Sequence, residues 1–229
     1  MSQLDPSFFN PEIAVTADGS TTLQLKELNE QYHSLNGAIQ ESSLVYIQHG
    51  LRHFNKNKLN ILEIGFGTGL NCLLTYASNS AYAISKTIHY TALEPFPVAP
   101  ELLEQLNYTA LIQPLCDKQF KAIHLYDEIK NHSIDPTFLL TKSRQTVQDV
   151  ELQTSTIDLI YFDAFAPAIQ PEMWTAAVFN KLYSILNPGG ILVTYCAKGE
   201  VKRNLRSAGF TVESLPGPPG KREVTRACK

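Results

Sequence analysis

The chain has 229 residues, of which 44% are hydrophobic and 18% charged, and its formal net charge at pH 7 is -3. This length and composition predict one folded domain with a small extension and exclude an intrinsically disordered chain. No run approaches the roughly 20 apolar residues that cross a bilayer, and the first residues lack a signal-peptide pattern. We therefore expect a cytoplasmic protein without membrane association.

The charge is unevenly distributed along the chain. Between Lys198 and Lys229 there are eight basic residues and three acidic ones. Such a segment either presents a cationic face to phosphates or forms a solvated surface helix followed by a hairpin. The cysteines are widely spaced, at positions 72, 116, 196 and 228. We expect neither a metal site nor a disulfide framework from that spacing.

The first 57 residues predict a small N-terminal extension ahead of the main domain at 58–229. Asp18 and Gly19 separate Ile13–Val15 from the alternating run TTLQL, which predicts a short hairpin. Apolar residues at spacings of three and four predict a helix over 41–54.

From residue 58 onward, short apolar runs alternate with helical stretches. The predicted strands are NILEI, IHYTALE, TFLLTK, IDLIYFD and GILVTY, and the predicted helices cover about 70–82, 98–107 and 171–186. This alternation predicts an α/β fold with a doubly wound, mostly parallel sheet. The final run GFTVESLPGPPGKREVTRAC predicts two antiparallel strands joined by a turn rich in glycine and proline.

The stretch NILEIGFGTGLN places a strand end, a tight turn and a helix start together. Gly65, Gly67 and Gly69 allow a ligand to approach the backbone closely, which fits a dinucleotide, a nucleoside triphosphate or a nucleoside-containing sulfonium. No Lys-Ser/Thr pair follows, and the glycine spacing differs from G-x-G-x-x-G. Glu63 would direct a carboxylate into the pocket, which disfavours a diphosphate and favours a cationic ligand.

The next predicted strand ends at Glu94, where a carboxylate can accept both hydroxyls of a ribose. The alternative is a surface residue placed before a proline. Together with the glycines, Glu94 favours a nucleoside with a cationic end. We assign Phe66, Thr68 and Asn71 to the same cofactor site.

These motifs resemble the class I S-adenosylmethionine-dependent methyltransferases. The phrases DGSTTL, YHSLNGAIQES, YTALEPFP, IDLIYFDAFAPAIQPEMW and GKREV narrow the resemblance, over nearly the whole chain, to the MnmD family. That family is equivalent to the methyltransferase half of the bifunctional protein MnmC. The resemblance implies a Rossmann-like sheet with an antiparallel last strand and S-adenosylmethionine as methyl donor. It also implies methylation of 5-aminomethyl-2-thiouridine in the tRNA anticodon loop, at the wobble position.

Two features depart from the family pattern. The bifunctional relatives carry a flavin-dependent oxidase after the methyltransferase, and this sequence ends before such a domain. We therefore expect no FAD and a separate route to the aminomethyl substrate. Many methyltransferases place an acidic residue after the third strand to contact adenine, whereas FLLTKSRQTV offers Lys142 and Ser143. The adenine contact then falls to Ser143 or to backbone groups.

Asp163 ends the run IDLIYFD, at the edge where ligands bind in open α/β sheets. Pro167 and Pro171 predict that the following segment is a loop over the pocket. Asp163 can bind the methionine ammonium, orient the acceptor amine or take its proton. Because an aliphatic amine has a pKa of roughly 10, its proton must leave before or during attack. We hypothesise in-line transfer in which Asp163 holds the amine.

The resemblance places Tyr32 and Glu41 on a cover over the active site, although the same segment can be a simple connection. His33 is more often hydrogen-bonded than a catalytic base. Phe165 and Trp174 can stack on a splayed base, but a core position is favoured for Trp174.

We predict phosphate contacts from Lys221, Arg222 and Arg226, and no obligate protein partner is evident. Two alternatives remain open. One is a methyltransferase acting on a small amine such as a polyamine, which the near-neutral charge does not oppose. The other is a non-catalytic nucleoside-binding regulator, which the presence of all the predicted catalytic and cofactor residues disfavours.

Overall fold

The computed structural model describes residues 10–80, 86–113, 115 and 117–229. The strands are β1 (Glu12–Val15), β2 (Thr21–Leu25), β3 (Glu30–Gln31), β4 (Lys58–Ile64), β5 (Thr87–Leu93), β6 (Ile129–Asp135), β7 (Phe138–Ser143), β8 (Ile157–Phe162), β9 (Leu186–Thr194), β10 (Thr211–Pro216) and β11 (Glu223–Cys228). The helices are α1 (Ala38–Ser42), α2 (Leu70–Ser80), α3 (Pro100–Leu103), α4 (Tyr108–Leu111), α5 (Asp117–His124), α6 (Ala176–Ile185) and α7 (Gly199–Ser207). Cys116 and the last residues of the helix predicted over 70–82 lie outside the described residues.

The main sheet has eight strands in the order β10-β11-β9-β8-β4-β5-β7-β6. The five central strands, from β9 to β7, are parallel. β11 is antiparallel to β9, β10 to β11, and β6 to β7. The predicted mostly parallel sheet with an antiparallel last strand is confirmed. β6 and the preceding α5 were not predicted. The strand IKNHSID has no apolar run, and five of its seven residues are polar.

Side chains of the parallel strands alternate between the two faces of the sheet and contribute to two hydrophobic clusters. On one face, Ile61 packs with residues of α2. On the other face, Leu62 and Ile160 pack with residues of α6 and α7. β8 is buried along its whole length, as expected for a central strand covered on both faces.

The N-terminal extension packs onto this core. The predicted hairpin is confirmed, since β1 pairs with β2 and Val15 lies opposite Thr21. Leu23, Val45 and Leu51 belong to the same hydrophobic cluster as Leu59 of the main sheet.

The single helix predicted over 41–54 is instead α1 followed by a π-helical turn at Ser43–Gln48 and a 3-10 turn at Leu51–His53. The break falls at Gly50. An added Cβ there would collide with the carbonyl oxygen of Tyr46 and lie 3.1 Å from the ring of Tyr161. Glycine therefore lets the chain turn against the sheet at this point.

The helix predicted over 98–107 is also interrupted. It forms only α3, and α4 begins after Asn107, whose backbone is not helical. The Asn107 side chain accepts a hydrogen bond from Thr21 N (2.9 Å) and donates one to Gly19 O (2.9 Å). These bonds tie the N-terminal hairpin to the main domain and compete with helix propagation. The helix predicted over 171–186 likewise begins as a 3-10 turn at Pro171–Trp174, and α6 starts after Thr175.

The basic C-terminal segment forms α7 and the predicted β10–β11 hairpin, and half of its cations are used internally. Lys202 Nζ lies 2.6 Å from Glu223 Oε1, and Arg226 Nε lies 2.7 Å from Glu213 Oε2. Lys229 Nζ donates to backbone carbonyl groups. The predicted phosphate contact from Arg226 is thereby disfavoured. The exposed basic residues of the segment are Lys198, Arg203, Arg206 and Arg222.

No helix within the described ranges is long and apolar enough to span a bilayer. Cys72, Cys196 and Cys228 are free thiols.

Asp158, near the start of β8, joins three neighbouring strands. Its Oδ1 accepts from Lys56 Nζ (2.7 Å) and Asn187 Nδ2 (2.9 Å), and its Oδ2 accepts from Asn60 N (3.0 Å). Burial alone would raise the pKa of Asp158, but these hydrogen bonds outweigh burial and lower the pKa below its ordinary value.

Replacing Asp158 with Ala leaves the half-buried Asn60 and Asn187 donors without their acceptor, and we expect it to lower the free energy of unfolding at neutral pH by about 1–3 kcal/mol. Because the folded-state pKa is depressed, this stabilisation is complete above the unfolded-state pKa of about 4 and is lost as the pH falls through the folded-state value. Urea unfolding at neutral and acidic pH measures both effects. The exposed control Asp127→Ala should change stability by less than about 0.5 kcal/mol. Equal unfolding free energies for Asp158→Ala and the wild type would contradict the prediction.

Candidate active site

A cavity of about 1140 Å³, including its solvent-open part, lies across the carboxyl edge of the parallel strands. Its walls come from the segments that follow β4, β5, β7 and β8, from the end of β9, and from N-terminal residues 30–34. The carboxyl ends of parallel strands meet at one edge, so residues distant in the chain converge there.

The glycine turn after β4 forms one end of the cavity. Gly65, Gly67 and Gly69 have φ values of +86°, +49° and +72°, the left-handed region that favours glycine. An added Cβ on Gly65 would lie 2.6 Å from Asp163 O, and one on Gly67 would lie 3.0 Å from the Tyr32 ring. The predicted tight turn is present, and it packs directly against the loop that carries Asp163.

Glu94 lines the cavity beside this turn. Its Oε2 accepts from Gly67 N (2.8 Å) and its Oε1 accepts from Phe96 N (3.0 Å). Burial raises the pKa of Glu94, against the effect of these backbone donors. The backbone of Phe66 is a third donor to this carboxylate. Because a carboxylate has about four acceptor positions, Glu94 can still accept from a ribose hydroxyl.

Phe66 also lines the cavity, whereas the residues predicted for the adenine contact do not. Ser143 Oγ accepts from Gln145 N (3.2 Å). Lys142 is buried, with its Nζ 4.5 Å from the centre of the Phe66 ring. In this segment the cavity is lined by Gln145–Val147, a little beyond the predicted Ser143.

Glu63 does not direct its carboxylate into the cavity, which corrects the prediction. It is fully buried, and its Oε1 accepts from Asn71 Nδ2 (3.0 Å). Because side chains alternate along β4, the neighbouring Ile64 lines the cavity instead. Burial raises the pKa of Glu63 well above its ordinary value. Asn71, also buried, donates to Asp163 Oδ2 as well (2.8 Å), so it links the two carboxyl groups.

Thr68 fastens the N-terminal segment to the glycine turn. Its side chain is fully buried, lies 2.8 Å from His33 Nε2 and accepts from the Tyr108 hydroxyl (3.1 Å). The predicted cofactor contact therefore does not involve the Thr68 side chain. Burial, together with the charge of Lys221, lowers the pKa of His33 to about 4. At neutral pH His33 is therefore uncharged, and its Nε2 is hydrogen-bonded with the Thr68 hydroxyl.

Asp163 lies on the cavity wall, where its backbone N donates to Ile64 O (2.9 Å). Burial raises the pKa of Asp163 to about 6, against the opposing effects of Tyr46 and Asn71. The carboxyl group thus changes its charge near physiological pH. A perturbed carboxyl in a cavity is a common property of functional groups.

The loop after Asp163 lines the cavity with Phe165. The ring of Phe165 meets that of Tyr32 edge-on, with 5.1 Å between centroids. Trp174 lies in the core, packed on Phe162, and its Nε1 donates to Phe165 O (2.8 Å). The expectation that Trp174 belongs to the core is confirmed. The hydrogen bond from its indole to Phe165 O fixes the loop.

A charged pair and a tyrosine line the cavity near Asp163. Lys221 Nζ lies 2.5 Å from Glu41 Oε1 and 4.3 Å from the centre of the Tyr195 ring. Glu41 Oε2 accepts from Ser34 N (3.1 Å). The structure turns Lys221 inward, so a phosphate contact from Lys221 would require this ion pair to break. Of the three residues predicted to contact phosphate, only Arg222 is exposed.

Tyr195 was not predicted as a site residue. Its hydroxyl donates to Ala164 O (2.9 Å), and it follows β9 as Asp163 follows β8. The carboxyl-edge criterion that selected Asp163 would have selected Tyr195 too.

The residues at the glycine end fit a nucleoside with a cationic tail. Phe66, Leu93 and Val147 supply apolar walls, Glu94 supplies a carboxylate with free acceptor positions, and Asp163 supplies an acidic end. Within the described part of the chain, no group of three or more His, Cys, Asp or Glu side chains is placed to hold a metal ion.

Residues 107–229 match the family model described as S-adenosyl-L-methionine-dependent methyltransferase. The sequence is 33% identical, over 74% of the chain, to the tRNA 5-methylaminomethyl-2-thiouridine biosynthesis bifunctional protein MnmC of Pseudomonas fluorescens strain Pf0-1, and it covers 26% of that protein. It is 29% identical, over 97% of the chain, to the protein of the same name from Aromatoleum aromaticum, and it covers 35% of it. The chain thus spans about a quarter to a third of the length of these curated relatives.

The structure is similar to the crystal structure of MnmC2 from Aquifex aeolicus, with a TM-score of 0.70 and 27% identity, over 97% of this chain and 72% of that one. Spermidine synthase from Thermotoga maritima shares the fold, with a TM-score of 0.59 and 13% identity, over 100% of this chain and 71% of that one.

Replacing Asn71 with Leu removes an amide donor from the ionised form of Asp163. We expect the pKa of Asp163 to rise further above about 6, by about one to two units for a lost hydrogen bond to a carboxylate. A carboxyl-carbon NMR titration of the variant and the wild type measures the shift. The matched control is Asn204→Leu on α7, which removes a hydrogen bond to Trp174 O. This variant should leave the pKa of Asp163 unchanged. An unchanged pKa in Asn71→Leu would show that Asn71 does not support the charge.

Proposed function

The chain belongs to the S-adenosyl-L-methionine-dependent methyltransferase family, and we propose that it methylates the amine of 5-aminomethyl(-2-thio)uridine at the tRNA wobble position. The product is the 5-methylaminomethyl form. The observation that carries the proposal is a half-buried carboxylate, Asp163, placed in the cavity together with Glu41 and the aromatic pair Tyr32 and Phe165. The MnmC relatives are named for biosynthesis of this nucleoside, which supports the choice of acceptor.

The glycine end of the cavity is the proposed cofactor site. Glu94 would hold the ribose, Phe66 and Val147 would enclose the adenine, and the backbone of Gly65–Gly69 would allow close approach. When bound, S-adenosylmethionine supplies a methyl carbon on a positively charged sulfur, which a neutral amine displaces as the carbon–nitrogen bond forms. We assign no flavin to this chain.

Asp163 is the proposed partner of the acceptor amine. Its pKa of about 6 leaves it mostly ionised at neutral pH. It can therefore accept a hydrogen bond from the amine, hold its lone pair in line with the methyl group, and take up a proton. Positioning contributes most, since the sulfonium sulfur leaves as a neutral thioether and its departure needs no protonation.

Tyr32 and Phe165 are the proposed contacts of the uracil ring, because a base from an anticodon loop is read by splaying it out and stacking it on aromatic side chains. The described residues 10–57 of the predicted extension contribute to this cover. We assign the phosphate contacts to the exposed Arg222 and to other exposed basic residues of the C-terminal segment, such as Lys198 and Arg203. A tRNA substrate accords with a cytoplasmic enzyme.

The test of the function is incubation with labelled S-adenosylmethionine and bulk tRNA from cells that lack this activity, followed by nucleoside analysis. We expect label in the methylaminomethyl group of a wobble uridine. Label that appears only when a polyamine is offered would support the small-amine alternative. Cofactor binding without transfer to either acceptor would support the regulator.

Replacing Asp163 with Asn removes the charge and the proton acceptor. We expect kcat at saturating S-adenosylmethionine and tRNA to fall by about 100-fold or more. The variant should fold, because the raised pKa of Asp163 means that its ionised form opposes folding at neutral pH. Its melting temperature should therefore be no lower than that of the wild type. The control Asp117→Asn changes an exposed residue of α5. Normal turnover by the Asp163→Asn variant would show that Asp163 does not have the proposed role.

A further inference from the structure

Two carboxyl groups, Glu41 and Asp163, line the same end of the cavity. Glu41 contributes to the raised pKa of Asp163, so the two groups interact electrostatically. Under the proposed function, on which this inference rests, a pair of carboxylates presents a problem. Together they would stabilise the acceptor amine as an ammonium ion, and an ammonium ion has no lone pair for attack.

Lys221 lies where it can offset that effect. Its Nζ is 2.5 Å from Glu41 Oε1 and 4.3 Å from the Tyr195 ring centre, and its side chain is 32% exposed. Its charge acts on both walls of the cavity, since it lowers the pKa of Asp163 on one side and that of His33 on the other. Lys221 is therefore part of the electrostatic environment of the site rather than a free surface cation.

The backbone around Lys221 is held in place by a tight turn. Lys221 N donates to Pro218 O (2.9 Å), and Gly217 N donates to Arg222 O (3.2 Å). Gly220 has a φ of +84°, and an added Cβ there would collide with the Asn36 side chain. The turn is thus packed against the N-terminal segment, which fixes the direction from which Lys221 enters the cavity.

We propose that Lys221 is a positioning residue whose ammonium group pairs with Glu41 and so prevents Glu41 and Asp163 from trapping the acceptor amine in its protonated, unreactive form. The function of the ion pair is to set the net charge around the bound amine. With Lys221 in place, the two carboxylates and the cation carry a net charge of one negative unit. Without Lys221 they would carry two.

Other titratable groups face this arrangement. From the N-terminal segment, the main sheet and the π-helical turn, they include Glu30, His33, Tyr46, Tyr195 and Cys196. Glu94 and Glu172 line the same cavity, and the buried Glu63 is linked to Asp163 through Asn71. Burial keeps His33 neutral and raises the pKa of the tyrosines and of Cys196, so these four are uncharged at neutral pH. Glu30 is half-buried at the cavity wall and adds negative charge to the site. A neutralising cation is therefore more important.

The proton balance shows where the charge matters. An acceptor that arrives as an ammonium ion releases one proton to solvent before attack. The nitrogen lone pair then forms the bond to the methyl carbon as the carbon–sulfur bond breaks and its electrons go to sulfur. The product leaves as a methylated ammonium ion. Only the first step depends on how strongly the site favours the protonated amine.

The test is the pH dependence of the single-turnover methylation rate at saturating S-adenosylmethionine and aminomethyl-uridine tRNA, because its acid limb reports ionisation in the bound complex. Lys221→Met should move the midpoint of the acid limb to higher pH by about one unit or more, since the ammonium form of the amine gains stability. Glu41→Gln should move the midpoint to lower pH. Lys221→Arg keeps the charge and should stay close to the wild type. Lys58→Met, an exposed lysine at the start of β4 and therefore at the opposite edge of the sheet, is the matched control.

Opposite shifts in Lys221→Met and Glu41→Gln support the inference, because a merely structural role would lower both rates without moving either midpoint. Unmoved midpoints, or shifts in the same direction, overturn it. Melting temperatures report folding, and if Lys221→Met does not fold, the direction of the Glu41→Gln shift decides. A wild-type protein that does not methylate this tRNA refutes the proposed function instead, so the two failures are distinguishable.

Discussion

The site depends on the close approach of the backbone at Gly65 to the backbone at Asp163. Gly65 N donates to Leu93 O (3.0 Å), and Asp163 N donates to Ile64 O (2.9 Å), so the ends of β4, β5 and β8 are held together. No side chain fits at Gly65, because its Cβ would lie 2.6 Å from Asp163 O. This contact places Glu94 and Asp163 on the walls of one cavity and makes the distance between them a property of the backbone.

Burial gives the cavity its chemical character. Glu63, Glu94 and Asp163 all have pKa values raised by removal from water, and each is supported by a few fixed donors. A cation brought beside such groups favours their ionised forms and is itself stabilised in return. A cavity of this kind suits a positively charged cofactor and an amine better than it suits phosphate. The same carboxyl groups require a counter-charge that limits how strongly the protonated amine is bound.

Short-range patterns were enough to predict the parallel sheet, the glycine turn, and the positions of Glu94 and Asp163 at strand ends. The sequence was less informative where a side chain depends on distant partners. Glu63 follows the alternation of β4 and faces away from the cavity, and the Thr68 hydroxyl is taken by His33, which is distant in sequence. Lys221 looked like a surface cation because charge alone predicts solvent, whereas its ion pair with Glu41 exists only after the fold has brought the two segments together.

The pairing of Glu41 with Lys221 joins an early segment of the chain to a late one. A nascent polypeptide emerging from the ribosome completes the glycine turn, Glu94 and Asp163 well before residue 221 is synthesised. Until then Glu41 lacks its ion-pair partner, and Asn36 lacks the turn at Gly220 against which it packs in the folded chain. Lys221 is therefore the last of the charged groups described in the cavity to be synthesised, after Glu41, Glu94 and Asp163.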